Sequence, residues 1–328
     1  MTRRGHGLLL LSAAALSLVP VARAAAQERA RDVPAAPGGV TAAAPGTEER
    51  DENGKRLDEL SITLRGTGSL AFKADLKDSP GRVAVSRAGA GIGVGTPVAP
   101  ETRLNVNLDF ESSFYDFSNA SALVPGSRDP FDDAYAVSLA PTIFHRLSPE
   151  WTVFGGGIFR WSAESGADLS SAVTAGGIAG ATWTLSDRLA LSFGVAASSR
   201  LDDHALVVPI VGVDWKIGDD LRLASEGLGF RLTKTLDSQW SISLAGRWEL
   251  RDFRLRDDGP LPEGVVRDSR APVEVALAWS PSRAVTVRLA GGAIVWQEFR
   301  FDDREGNRVS EDNTRPTPFV GLTASIAF

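Results

Sequence analysis

The chain has 328 residues, a formal charge of −6 and no cysteine. The missing thiols exclude disulfides, thiolate metal sites and thiol catalysis. The acidic balance excludes the basic footprint that a nucleic-acid partner requires.

At the N-terminus Arg3 and Arg4 precede an apolar run from Leu8 to Leu18, followed by small residues from Ala22 to Ala26. A basic start, a short apolar centre and small residues for a peptidase predict a signal peptide over 1–26, too short and wrongly flanked to remain as a spanning helix. Its removal takes Arg3, Arg4 and Arg23 and no acid, which moves the formal charge from −6 to −9. The next stretch, 27–58, is rich in Ala, Pro, Gly and charge. Such a segment cannot bury enough apolar area to offset its ordering entropy, so a flexible periplasmic tail is expected, with a small lumen plug as the alternative.

Beyond Leu60 the hydropathy pattern switches to period two. Over 240–250 one face carries Trp240, Ile242, Leu244, Gly246, Trp248 and Leu250, and the other carries Ser241, Ser243, Ala245, Arg247 and Glu249. The same split recurs in 103–111, where Leu104, Val106, Leu108 and Phe110 alternate with Arg103, Asn105, Asn107, Asp109 and Glu111. Runs this long exceed ordinary globular strands and suit a tilted bilayer crossing. The connections alternate as well. Tight turns are expected at 148–150, 186–188, 218–220, 237–239 and 280–282, and longer charged loops near 118–132, 163–169, 255–271 and 302–315. Trp151, Trp183, Trp215, Trp240 and Trp279 each sit within a few residues of a tight turn, on the apolar parity of their strands. That placement suits a membrane-interface girdle in contact with outer-membrane lipid, on the periplasmic side where short turns belong.

Fourteen strands follow, at about 59–76, 82–96, 101–117, 132–147, 151–163, 169–185, 188–200, 204–217, 220–226, 228–236, 239–254, 271–280, 283–301 and 315–328. The division of 220–236 at Glu226-Gly227 keeps every tight turn on one side and leaves a notch in the opposite rim; twelve strands is the alternative. The expected fold is all-β, a transmembrane antiparallel up-and-down barrel over 59–328. The final strand alternates to a terminal aromatic, Val320-Gly321-Leu322-Thr323-Ala324-Ser325-Ile326-Ala327-Phe328. This resembles the C-terminal signal of bacterial outer-membrane barrels, and the chain more generally resembles an uncharacterised family of outer-membrane barrel domains. The resemblance implies export to the outer membrane and recognition of Phe328 by the barrel-assembly machinery.

Little in the sequence points to catalytic or metal chemistry. His145 lies near a tight turn, and His204 beside Asp202-Asp203 at a loop end lacks a companion serine motif, so an exterior-rim hydrolase ranks third among the readings. Gly89, Gly91, Gly93 and Gly95 alternate through a strand with no helix after them, which predicts close wall packing rather than a phosphate loop. Acidic runs such as 302–305 lack the ligand order of a calcium loop, and neither a metal nor a cofactor is expected.

The inner face carries Arg65, Asp109, Glu111, Arg160, Asp214, Arg247, Glu249, Glu274 and Arg288, and the same parity rule adds Lys73, Lys216 and Glu298. Unpaired charges facing a dry interior are prohibitive, so these residues either line water or pair across the lumen. The leading expectation is a passive channel or transporter for small polar solutes, not an enzyme. The second is a non-transporting structural barrel whose exterior loops contact ligands.

Overall fold

The computed structural model describes residues 59–328 except 125, 126, 128 and 202–204. The expectations for the signal peptide, the tail and His204 lie outside the described residues.

The strands run β1 (Ser61–Asp75), β2 (Arg82–Ala99), β3 (Thr102–Ser118), β4 (Asp133–Arg146), β5 (Trp151–Glu164), β6 (Val173–Ser186), β7 (Leu189–Ser199), β8 (Ala205–Lys216), β9 (Leu221–Ser225), β10 (Leu228–Thr235), β11 (Trp240–Arg254), β12 (Val265–Trp279), β13 (Val285–Asp302), β14 (Arg308–Asn313) and β15 (Thr317–Ala327). Neighbours pair antiparallel in chain order, and β1 with β15, β15 with β13 and β13 with β12 close the ring. β14 pairs only with the loop-side end of β13, so fourteen of the fifteen strands form the wall. Closure leaves no sheet edge at the seam, which an apolar surround demands. Phe328 sits at that seam, exchanging backbone hydrogen bonds of 2.8 and 3.2 Å with Ile62.

The alternation sorts the faces. On β11 the outward Ile242 and Leu244 are exposed while Ser241, Ser243 and Ala245 are buried. The five tryptophans near the tight turns are all exposed at the short-turn rim. Two register pairs, Trp151 with Trp183 and Trp240 with Trp279, stack at centroid distances of 5.8 and 6.2 Å. Leu244, 52% exposed and well above the Trp240 rim, is set within the apolar band. Leu244→Arg is therefore expected to cost about 2–4 kcal/mol of folding stability in lipid, read from urea titrations in vesicles; a neutral result would mean that this face does not meet hydrocarbon.

Two bulges alter the parity assumed from sequence. One between Ala71 and Ala74 turns Lys73 away from the lumen to pair with Asp116 at 3.1 Å. Another between Ala271 and Pro272 places Glu298 on the outward row, opposite Ser269. A single inserted residue reverses every side chain beyond it. β12 also begins at Val265 rather than near 271, and the expected loop at 302–315 contains β14.

The wall is uneven around its circumference. β9 and β10 are short and turn at Glu226-Gly227, where Gly227 takes the left-handed φ of 57°. β8 pairs with β7 from Leu189–Trp215 to Ser199–Ala205, but with β9 only from Asp214 to Lys216. The notch thus reaches far down the wall, and Val207 and Val211 beside it are 61% and 78% exposed. Above the notch β11 leans across the mouth. Arg254 reaches Ala163 of β5 in a parallel bridge, and its guanidinium donates to the carbonyls of Ser171, Leu201 and Glu263. The β12 arm of the leaning hairpin is consequently buried on both faces, from Val265 through Arg270.

Candidate functional site: the lumen and its three layers

The inward residues of β11 read upward as Ser241, Ser243, Ala245, then Arg247, Glu249, Arg251, then Phe253. That order, small then charged then aromatic, describes the whole lumen.

Near the short-turn rim the inner wall is built from small and hydroxylated residues, including Ala276, Ala278, Thr182 and Ser192, with an apolar patch of Phe144, Phe154, Ile158, Ile178 and Ile210 on β4–β8. The alternating glycines of β2 give room to their neighbours. A Cβ on Gly91 would stand 2.1 Å from Asp109 Oδ1, and one on Gly95 would stand 2.3 Å from Arg103 Nη2. The glycine stripe thereby lets long polar side chains of β3 lie flat against β2.

The middle layer is a network of ion pairs. Glu249 accepts from Arg247 at 2.7 Å, Arg251 at 2.7 Å and Arg270 at 2.6 Å. Arg251 also clamps both oxygens of Glu111, at 2.6 and 2.8 Å. Glu274 accepts from Arg288, from Arg247 at 3.1 Å and from Arg231 at 3.3 Å, and Arg231 meets Glu226 at 2.5 Å. Asp268 is completely buried and accepts from Arg87, from Tyr115 Oη at 2.9 Å and from Gln297 at 2.8 Å. Such shared, charge-assisted bonds are the geometry that buried charges require. Several nitrogens, among them Arg65 Nε, Arg231 Nε and Arg288 Nε, are buried with no protein acceptor, which marks places for water.

The long-loop side is closed by apolar packing. Tyr115, Phe117, Phe253, Phe299 and Phe301 point inward and meet Leu123, Val124 and Phe131 from the β3–β4 connection. Phe131 is the keystone, with its ring 4.4 Å from Tyr115, 5.4 Å from Phe117 and 6.0 Å from Phe301. Outside this seal the loops are polar and solvated. There Asp303 accepts from the side chain and backbone of Asn307, which lowers its pKa.

The nine inner-face residues singled out from sequence do not all join one cluster. Glu111, Arg247, Glu249, Glu274 and Arg288 belong to the network just described. Arg65 pairs with Asp109 at 2.9 Å on the β1–β3 wall, and Asp214 with Arg222 at 2.5 Å near the short-turn rim. The Arg160 side chain makes no hydrogen bond or ion pair within the described residues, and Glu111 and Asp252 act on it only through space. Sequence reasoning missed Arg87, Asp268 and Arg270. The parity of Val83, Val85 and Arg87 could have revealed the first; the other two were hidden by reading 255–271 as a loop. His145 bonds Thr102 Oγ1 at 2.9 Å at the short-turn rim, away from the charged layer.

Closed wall, apolar exterior, aromatic rim and polar lumen define an outer-membrane β-barrel. Within that class the chain belongs to the family described as Domain of unknown function (DUF6268), whose model matches residues 131–326. No curated protein matches the sequence. Among solved structures, a Pseudomonas aeruginosa FadL homologue is similar at 11% identity and TM-score 0.46, over 84% of this chain and 91% of that one. The COG4313 outer membrane channel from Pseudomonas putida F1 is similar at 11% identity and TM-score 0.43, over 87% and 99%. The Ralstonia pickettii toluene transporter TbuX is similar at 7% identity and TM-score 0.40, over 82% and 90%.

Proposed function

We propose that this barrel is an outer-membrane channel for small polar solutes that rests in a closed state. The observation that carries the reading is the distribution of the seal. The apolar packing that closes the long-loop end is made partly by a loop and a leaning hairpin, whereas beneath it lie a charged layer and a wall of small and hydroxylated residues whose apolar patch is limited to β4–β8. A barrel with a purely structural role gains nothing from lining its middle with charge, because replacing buried ion pairs by apolar residues is often neutral or stabilising. A charged layer under a movable cap suits a passage that fills with water when the cap shifts. Export by the N-terminal signal, assembly through Phe328 and a girdle of Trp151, Trp183, Trp215, Trp240 and Trp279 belong to the same proposal.

Single-channel recording of the refolded mature protein in a planar bilayer tests it. The wild type is expected to give brief unit steps. Glu111→Arg paired with Arg247→Glu should change the ion preference of those steps. An inserted barrel that stays electrically silent in every variant would remove the channel reading. It would favour the second one, a surface barrel working through its exterior loops, which the tightly packed seal over Phe131 also suits.

A further inference from the structure

We propose that Arg160, with Ser138 and Thr174, forms a lumenal binding site for the carboxylate of a small organic acid. The three residues are partners in register on adjacent strands, Ser138 of β4 opposite Arg160 of β5 and Arg160 opposite Thr174 of β6. Directly opposed residues share a face, and this face is the inward one. None of the three side chains has a hydrogen bond or ion pair within the described residues. A part-enclosed guanidinium and two hydroxyls, all with donors to spare, therefore look into one region of the lumen.

Glu111 and Asp252 act on Arg160 through space, but no acid bonds it directly, because each nearby carboxylate is already bonded to another arginine. Asp109, one step along the same row beyond Ser138, is held by Arg65 at 2.9 Å. Glu111 is clamped through both oxygens by Arg251, and Asp252 accepts from Arg267 at 2.9 Å. The ion-pair network adjacent to it counts six arginines, Arg87, Arg231, Arg247, Arg251, Arg270 and Arg288, against five carboxylates, Glu111, Glu226, Glu249, Glu274 and Asp268. Arg160 adds to that cationic surplus inside a chain that is acidic overall. An enclosed guanidinium with no counter-ion in direct contact is costly, and its planar fork matches the two oxygens of a carboxylate.

The site also has a roof. Two residues above Arg160, Ser162 Oγ donates to the Asp252 carbonyl at 2.5 Å, where the leaning β11 crosses toward β5. A solute held by Arg160 would lie directly under the element that closes the mouth. The inference deepens the channel reading and rests on it for the solute's route, but binding itself does not require conduction.

The experiment is calorimetric titration of succinate into the refolded barrel in a zwitterionic detergent, with planar-bilayer recording alongside. Saturable binding is expected, and Arg160→Gln should weaken it by about tenfold to a hundredfold, the loss of one charged hydrogen-bonding partner. Thr174→Val should weaken it by up to about tenfold, and Arg160→Lys should restore part of what the glutamine removes. Arg82→Gln, on an exposed pair with Asp75, should leave binding unchanged. Heat-modifiable migration on SDS gels verifies that each variant is folded. Equal binding by the wild type and Arg160→Gln overturns the proposal, as does displacement of succinate by chloride as readily as by acetate. Arg160-dependent binding in a silent barrel supports the site and removes the channel reading; conduction without such binding does the reverse.

Discussion

Asp268→Ala is expected to destabilise the barrel by about 3–5 kcal/mol, because it strands a buried cation. The Asp268 side chain is fully enclosed, and the Arg87 guanidinium that it meets is 4% exposed. Without the carboxylate, Arg87 keeps Ser113 at 3.2 Å, Tyr115 at 3.4 Å and a distant Glu249 at 3.8 Å, none of which replaces a direct counter-ion. Tyr115 Oη and Gln297 Nε2 lose an acceptor at the same time. Asp75→Ala provides the contrast. Its pair with Arg82 is more than half exposed on both sides, so the expected change is about 0–1 kcal/mol. Urea midpoints of the two variants in the same lipid decide the matter. Equal, small shifts would mean that the ion-paired layer is solvated and does not hold the strands together. Replacing Arg87 and Asp268 together by Met and Leu should recover most of the loss, since the cost lies in leaving one charge unpaired rather than in lacking the pair.

The second large effect is on the seal. Phe131→Ala removes a ring that is 2% exposed and packed at tilted and edge-on angles among Tyr115, Phe117 and Phe301. Truncation of a buried phenylalanine costs about 3–5 kcal/mol. Phe131 belongs to the connection between β3 and β4 rather than to the wall, so most of that loss should fall on the docking of this connection. A loss of about 3 kcal/mol moves an opening equilibrium by roughly a hundredfold. The variant is therefore expected to spend far more time conducting than the wild type while keeping its resistance to SDS at room temperature. Unchanged recordings from a folded Phe131→Ala barrel would place the barrier to flow in the charged layer instead. Arg254→Ala acts on the other half of the closure, where one guanidinium holds three carbonyls over the mouth.

Much of this architecture follows from period-two alternation, which needs only local information. A strand between lipid and water must place apolar residues on every second position, so the wall segments, their facing and the tryptophan rim are written along the chain. The division at Glu226-Gly227 was legible for a topological reason: an even number of strands is needed to keep all tight turns on one rim. Even the three layers of the lumen are spelled out along β11, from Ser241 to Phe253.

What alternation cannot carry is identity of partner. It assigned Arg247, Glu249 and Glu274 to the interior, but whether they line water or meet one another depends on which strands face across the lumen. Arg87 and Asp268 lie 181 positions apart and meet only because the ring closes through β1, β15 and β13. Lys73 and Glu298 were misassigned because a bulge shifts parity by one without a sequence mark strong enough to see. Val265–Arg270 falls within the charged stretch 255–271 expected as a loop, yet pairing with β11 and β13 on both sides makes it strand. The solitary position of Arg160 is likewise a tertiary fact. Its residue type and face were set by the chain, whereas its lack of a directly bonded counter-ion was decided by Arg65, Arg251 and Arg267 taking the acids around it, a competition among side chains from strands far apart in sequence.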